Sequence, residues 1–460
     1  MLDLAIVGGN AVTTGQVALA DIGISGGRIV TIAAPGRLEP ASRTIDASGM
    51  LVLPGAVDVH THLDARMHGA RSADDFHSGT VAAAAGGVTT IIDYAFQRPG
   101  GPLTEAIRTW NEKAHGRAVI DYGFHIAVLD PSESAIADVA RAVARGCPSF
   151  KIFMMRRFEE RVRDFLKVFA AAAQSGGLLT IHAEDENLIH YCTQRLIDQG
   201  KTAAEYFPES RPAISESAAV ARALGMAELT GAATYFVHLS SGAALDEIRR
   251  AREAGRTVLA ETRPIYLYLT EERLRQPDGV RFIGHPPLRA AADRDALWKG
   301  LADGTIDVVA TDHCSWKLKD KHASVSFTGL IPGMSNLETL VPMLYSEGVV
   351  SGRISLVRMV ELVATNPAKI FGLYPRKGVI ERGADADLVI FDPHQTVVVH
   401  QPDMHSRSDY DPFEGVAVKG WPRTTISRGE VIVERREPRA APGRGRFVPR
   451  EPFDPDWRLA

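Results

Sequence analysis

The sequence predicts an α/β protein, a (β/α)8 TIM-type barrel joined to a small β-sandwich domain built from both chain ends. Three observations predict it. Apolar runs of five to seven residues alternate with Ala-rich amphipathic stretches over about 300 residues. Short alternating runs broken by Gly-Gly and Ser-Gly fill the first 50 or so residues, and the same texture returns late in the chain. The 460 residues would make about three domains of ordinary size, yet barrels of this kind often exceed 250 residues as one unit.

From the N-terminus, LAIVGGN, DIGISGGRIVTIA and RTIDASGMLVLPG read as strands with tight turns, so residues 1–53 form the first part of the β-domain. VDVHTH opens the barrel, residues 54–373. GVTTIIDYA, YGFHIAV, SFKIFM, GLLTIHAE, TYFVHLS, RTVLAET and DVVATDH follow as buried strands. Between them, stretches such as SAIADVARAVARG and GAALDEIRRAREAG have helical spacing and end in glycine, a frequent C-cap. DADLVIFDP, TVVVHQ and TTISRGEVIVERRE return to strand texture, which assigns 374–440 to the second part of the β-domain. The Pro-rich remainder, 441–460, reads as an arm packed on another surface.

Composition narrows the function classes. With 52 Lys+Arg against 56 Asp+Glu the net charge is −4, so nothing favours nucleic acid or an anionic membrane as partner. No apolar run reaches about 18 residues, and MLDLAIVGGN lacks the basic start of a signal peptide. Three cysteines make no disulfide framework, and the chain reads as cytoplasmic.

The chemistry lies at the strand ends. His60 and His62, Lys151, His182, His238 and Asp312 each fall near the C-terminal end of a predicted strand, the rim where barrel enzymes build their sites. Residues i and i+2 of an extended segment share a side, so His60 and His62 can reach one metal ion. Singly, each residue has a plain structural explanation. Six in equivalent positions on successive units do not. Imidazoles and a carboxylate suit Zn2+, and by ligand type also Mn2+, Co2+ or Fe2+. Lys151 is the odd member, because an ammonium has no lone pair to offer. It is either deprotonated by burial, or converted by CO2 to a carbamate whose two oxygens could bridge two metals.

The motifs VDVHTHLD, DDFHSGTVAAAAGGVTTIIDYA, PSFKIFM, TIHAEDENLI, VHLSSGAALDEI, TDHCSWK and DYDPFEG occur in this order across nearly the whole chain. In them the sequence resembles the hydantoinase/dihydropyrimidinase family, cyclic amidohydrolases of the amidohydrolase superfamily. The resemblance implies a hydrolase with two divalent metal ions. His60 and His62 would bind the more buried metal, His182 and His238 the second, and carbamylated Lys151 would bridge them. Asp312 would ligate the first metal and shuttle the proton from a metal-bridging hydroxide to the leaving nitrogen. A small cyclic amide or ureide of hydantoin or dihydropyrimidine type would open to an N-carbamoyl amino acid. A homodimer or homotetramer is the family's usual state. His125 has no role in that pattern and reads as structural.

The departures bear on substrate. Hydantoinases carry a tyrosine five residues after the bridging lysine, where this chain has Arg156. Arg156 is either a surface arginine on a variable loop, or a guanidinium that stabilises an oxyanion or grips a substrate carboxylate. HPPLR puts His285 where the family has serine, and GMSNLET puts Ser335 at the usual asparagine. GMSNLET is similar to the allantoinase version of the segment, which makes allantoinase or another cyclic ureide or imide hydrolase the alternative. Dihydroorotases place arginine where this chain has Asp64, which argues against dihydroorotate. Loops over the mouth offer Met67, His68, Met155 and Arg156 as pocket walls. Cys314 reads as a small buried residue. A non-catalytic scaffold that has lost its ligands is a remote reading, because the ligand set is intact.

Overall fold

The structure, a computed structural model, describes residues 1–13, 15–155 and 157–458. Eight parallel strands pair in chain order: Ala56–Thr61, Val88–Phe96, Asp121–Ala127, Ser149–Phe153, Leu178–His182, Ala233–Phe236, Val258–Thr262 and Val308–Val309. Nearly every residue in them is buried, as expected of strands covered on both faces. The ring nearly closes between its ends: the His62 amide donates to the His313 carbonyl at 2.9 Å, and the His313 amide to the His60 carbonyl at 3.3 Å. The eighth strand is shorter than DVVATDH predicts. It stops at Val309, and Asp312 turns out of extended geometry at φ 47°.

Side-chain caps start several crossover helices. Ser132, Asp185 and Ser241 accept the amides of Ala135, Leu188 and Ala244, each cap worth about 1 kcal/mol. Gly231 ends the helix Ala213–Thr230 in the left-handed region, which a side chain would resist.

The two chain ends meet in one nine-stranded sheet. Leu51–Pro54 from the N-terminal part runs antiparallel to Leu388–Val398, with Leu53 opposite Val389. Leu4, Ile6, Ile22, Val52, Ile390 and Ile426 form the core of this domain. At its junction with the barrel, the Lys377 ammonium lies 2.7 Å from Asp121, 2.7 Å from Asp387 and 3.0 Å from Asp385. All four side chains are buried.

Residues after Arg444 run beneath the barrel, across the N-terminal ends of its strands. The Val448 amide donates to the Tyr122 carbonyl at 2.8 Å, and Arg450 and Phe453 donate to Gly146 and Gly176. Arg450 points inward, donating to the Phe124 carbonyl (2.6 Å) and Ser149 Oγ (2.7 Å). Val448 and Trp457 join the apolar cluster of Val57, Ile92, Leu178, Leu259 and Val308. The arm therefore closes one mouth of the barrel, and the opposite mouth holds the polar cluster.

Candidate metal centre and active site

At the C-terminal mouth, His60, His62, Lys151, His182, His238 and Asp312 line a single cleft of about 70 Å3. Strand geometry brings them together: each leaves a strand or the turn just after it, so six positions spread over 250 residues converge. His238 and Asp312 reach the cleft from left-handed backbone, φ 40° and 47°. Such conformations cost about 1–3 kcal/mol each and concentrate at functional sites.

One ligand-type atom from each of His60, His238 and Asp312 lies within 4.8 Å of the others. Asp312 Oδ1 is 3.3 Å from His60 Nε2 and 3.0 Å from His62 Nε2. On the other side, His182 Nδ1 is 3.0 Å from His238 Nε2. Burial lowers the pKa of all four imidazoles, those of His60 and His238 well below the usual value, and nearby Lys151 adds to this. The rings are therefore neutral, each with one nitrogen lone pair, and their approaches to Asp312 are not ion pairs.

Neighbouring carboxylates decide which nitrogen each ring offers. Glu261 Oε1 accepts from His60 Nδ1 at 2.7 Å, leaving Nε2 toward Asp312. Glu184 Oε2 accepts from His182 Nε2 at 2.7 Å, leaving Nδ1 toward His238. Glu184 in turn pairs with Arg211 at 2.6 Å. Glu261 also accepts from the Tyr235 hydroxyl and the His238 amide. Burial raises its pKa, and Lys151 opposes the rise.

Lys151 is fully buried, and among the described residues its Nζ has no hydrogen-bond partner. It lies 4.8 Å from the centroid of the Tyr94 ring. Burial lowers its pKa to about 7, although Glu261 and Asp312 favour the charged form. Asp312 responds oppositely. Burial raises its pKa, but the Arg263 guanidinium and the imidazoles of His60 and His62 outweigh this and hold it well below the usual carboxylate range.

These features fit a pair of divalent cations. Lone pairs of neutral rings converge on a carboxylate, an orphaned amine lies beside them, and the Nδ1 atoms of His62 and His238 have no partners among the described residues. His60, His62 and Asp312 would hold one ion, His182 and His238 the other, with Lys151 between.

The remaining predicted residues divide. Met67, His68, Met155 and His285 line the cleft, with Phe153, Cys314, Pro332 and Gly333. The His285 ring stacks on Phe207 at 5.7 Å and meets His68 edge-on at 5.9 Å. Ser335 is not part of this lining; it is buried, and its hydroxyl donates to the Tyr410 carbonyl at 3.4 Å. Arg156 lies outside the described residues. His125 is satisfied by Ser149 and the Val59 carbonyl. Asp64 pairs with Arg71, and Cys314 is buried, with its thiol pushed up by burial. Sequence reasoning passed over Glu184, Glu261 and Arg263. The available signal was a charged residue inside, or directly after, an otherwise apolar strand.

The model of the amidohydrolase family matches residues 51–432. D-hydantoinase of Ralstonia pickettii is 42% identical over 458 residues, covering 98% of this chain and 100% of that protein. D-hydantoinase of Rhizobium radiobacter is also 42% identical, with the same coverage. Among solved structures, a D-hydantoinase superimposes with a TM-score of 0.95 at 42% identity, covering 98% of this chain and 100% of that one. A dihydropyrimidinase from Brevibacillus agri gives 0.94 at 36% identity, covering 98% and 99%.

Proposed function

This chain belongs to the amidohydrolase family, and on that premise we propose that it is a binuclear metal-dependent cyclic amidase. Its substrates would be hydantoins or dihydropyrimidines, opened to N-carbamoyl amino acids. The observation that carries this reading is the convergence of four neutral imidazoles, a carboxylate and an unpartnered buried lysine in one cleft.

A divalent pair, when bound, supplies Lewis acidity that lowers the pKa of water and polarises a carbonyl. The remaining work falls to the chain. Lys151, with its pKa lowered to about 7, has a substantial neutral fraction near pH 7. Its Nζ lone pair can attack CO2, forming an N–C bond and releasing a proton, which leaves a carbamate anion among the ligands. Asp312 is held ionised and accepts a proton at a carboxylate oxygen as water adds to the ring carbonyl carbon. It then returns the proton to the ring nitrogen as the C–N bond breaks. Glu261 and Glu184 keep His60 and His182 in the tautomers that present lone pairs. Met67, Met155 and Phe153 give the cleft an apolar side suited to a ring substituent.

Zinc is the proposed metal on ligand type, with Mn2+, Co2+ or Fe2+ compatible. Cys147, Cys192 and Cys314 are all free, which suits a reducing cytoplasm. A homodimer or homotetramer is proposed as the assembly, to be read by light scattering. Among the described residues no helix is long and apolar enough to cross a membrane.

The test is metal analysis followed by a substrate panel in bicarbonate buffer. Two equivalents of metal, and faster hydrolysis of 5-substituted hydantoins or dihydrouracil than of allantoin, are expected. Less than one equivalent in active protein, or full activity in Lys151→Ala without added carboxylate, would sink the reading. Preference for allantoin would favour the allantoinase alternative that Ser335 and its neighbours suggest.

A further inference from the structure

Arg263 is fully buried yet sits beside the cleft, directly after the strand Val258–Thr262. Two of its three nitrogens donate to one short segment, and the third lies at ion-pair distance from it. Nε donates to the Thr311 carbonyl at 3.1 Å, and Nη2 to the Asp312 carbonyl at 3.4 Å. Nη1 lies 3.0 Å from Asp312 Oδ2. The other carboxylate oxygen, Oδ1, faces His60 and His62. One planar cation thus grips the backbone and the side chain of the same residue from one side. Asp312 is also the residue held at φ 47°, a conformation an aspartate leaves readily unless its surroundings fix it.

We propose that Arg263 is a positioning residue for Asp312. It locks Oδ2 and the left-handed backbone so that Oδ1 alone is presented to the imidazoles. This rests on the metal-dependent reading above. It follows from the shape of the guanidinium: its donors lie in a fixed plane and can hold two carbonyls and a carboxylate oxygen at once. A lysine ammonium at this depth makes a single point contact. Arg263 also reaches the cleft wall indirectly. Its guanidinium lies 5.3 Å from the centroid of the Tyr266 ring, and the Tyr266 hydroxyl donates to the Pro286 carbonyl, next to His285.

Loss of the grip frees Asp312 to change rotamer and relax its backbone. Ligand-orienting partners of this kind typically change metal affinity or activity 10–100-fold. Arg263→Gln should therefore lose metal to a competing chelator roughly 10–100-fold more readily. Its kcat should fall while KM stays near the wild-type value, because Arg263 has no exposed surface with which to touch substrate. Arg263→Lys keeps the buried charge and guards against a variant that fails to fold; it should lie between wild type and Arg263→Gln in metal retention. The decisive measurement is a double-mutant cycle on metal retention in the folded fraction, with Asp312→Ala, which removes the positioned carboxylate, as the second change. If Arg263 acts through Asp312, Arg263→Gln adds nothing to Asp312→Ala. Additive losses, or wild-type metal retention in Arg263→Gln, would overturn the proposal. Wild-type enzyme holding less than one equivalent of metal would instead sink the functional reading on which it rests.

Discussion

Lys377→Met should destabilise the protein by about 3–5 kcal/mol, the usual loss when one member of a buried charge cluster is removed. The ammonium sits 2.7–3.0 Å from three carboxylates whose side chains are at most 6% exposed. These are not equally dependent on it. Asp121 keeps Arg428 at 3.3 Å, and Asp385 keeps Arg376 at 3.0 Å. Asp387 keeps the Arg428 amide at 2.7 Å but, among the described residues, has no second ion pair within 4.0 Å, the Arg428 guanidinium acting on it only from farther off. The cost therefore concentrates on one uncompensated carboxylate, and adding Asp387→Asn to the Lys377→Met variant should recover about 0.5–3 kcal/mol of it. Guanidinium unfolding followed by tryptophan fluorescence measures both variants. Since Asp121 belongs to the barrel and Asp387 to the β-domain, an early transition of one domain is the expected signature. A loss below about 1 kcal/mol, or a double variant no better than Lys377→Met, would refute the reasoning.

Arg450→Ala should lower stability by roughly 2–5 kcal/mol, the range for emptying a buried site of this size. It should leave kcat unchanged, because the arm lies at the mouth opposite the cleft. The hydrogen bond from His405 to Glu338 raises the His405 pKa above 6.5. The stability it adds is thus fully present below pH 6.5 and is lost as pH rises through the raised value. Thermal melts of wild type and His405→Asn from about pH 5.5 to 8.5 should converge at the alkaline end, from a difference on the order of 1 kcal/mol. Met155→Ala should raise KM for aryl-substituted hydantoins roughly tenfold, and that for dihydrouracil far less; equal changes would remove Met155 from the substituent's surroundings. Arg156→Ala should lower turnover substantially on the best substrate, whereas unchanged kinetics would make Arg156 a surface residue.

The barrel and the residues that meet in its cleft were legible because strand and helix periodicities alternate along the chain. Buried parallel strands leave continuous apolar runs, and a polar residue at the end of such a run stands out, as His182 and His238 do. Spacing along the chain shows little of what lies across the ring. Glu261 partners His60 from 201 residues away, and Arg263 meets the Asp312 backbone across 49. A charge inside or just after the apolar run VLAET marks both, but spacing alone does not show which residue each one meets. Ser335 marks a different limit. Aligning a motif places its backbone, but the side chain went to the Tyr410 carbonyl, a partner 75 residues later. The eighth strand ended early for a related reason: Ala310 continues the apolar run of Val308 and Val309, yet the strand stops at Val309 and Asp312 lies at φ 47°.

The arm beneath the barrel bears on how the protein is made. Phe124 and Arg450, hydrogen-bonded in the finished molecule, are separated by 326 residues. At about 5–20 residues per second, a ribosome needs roughly 16–65 s to synthesise that interval. Throughout it, Val57 and Ile92, later joined by Leu178, lack the Val448 and Trp457 that finally cover them. The nascent chain therefore exposes a sticky apolar surface for much longer than its strands take to pair. Demand for a chaperone should peak late in translation and fall once Trp457 has emerged.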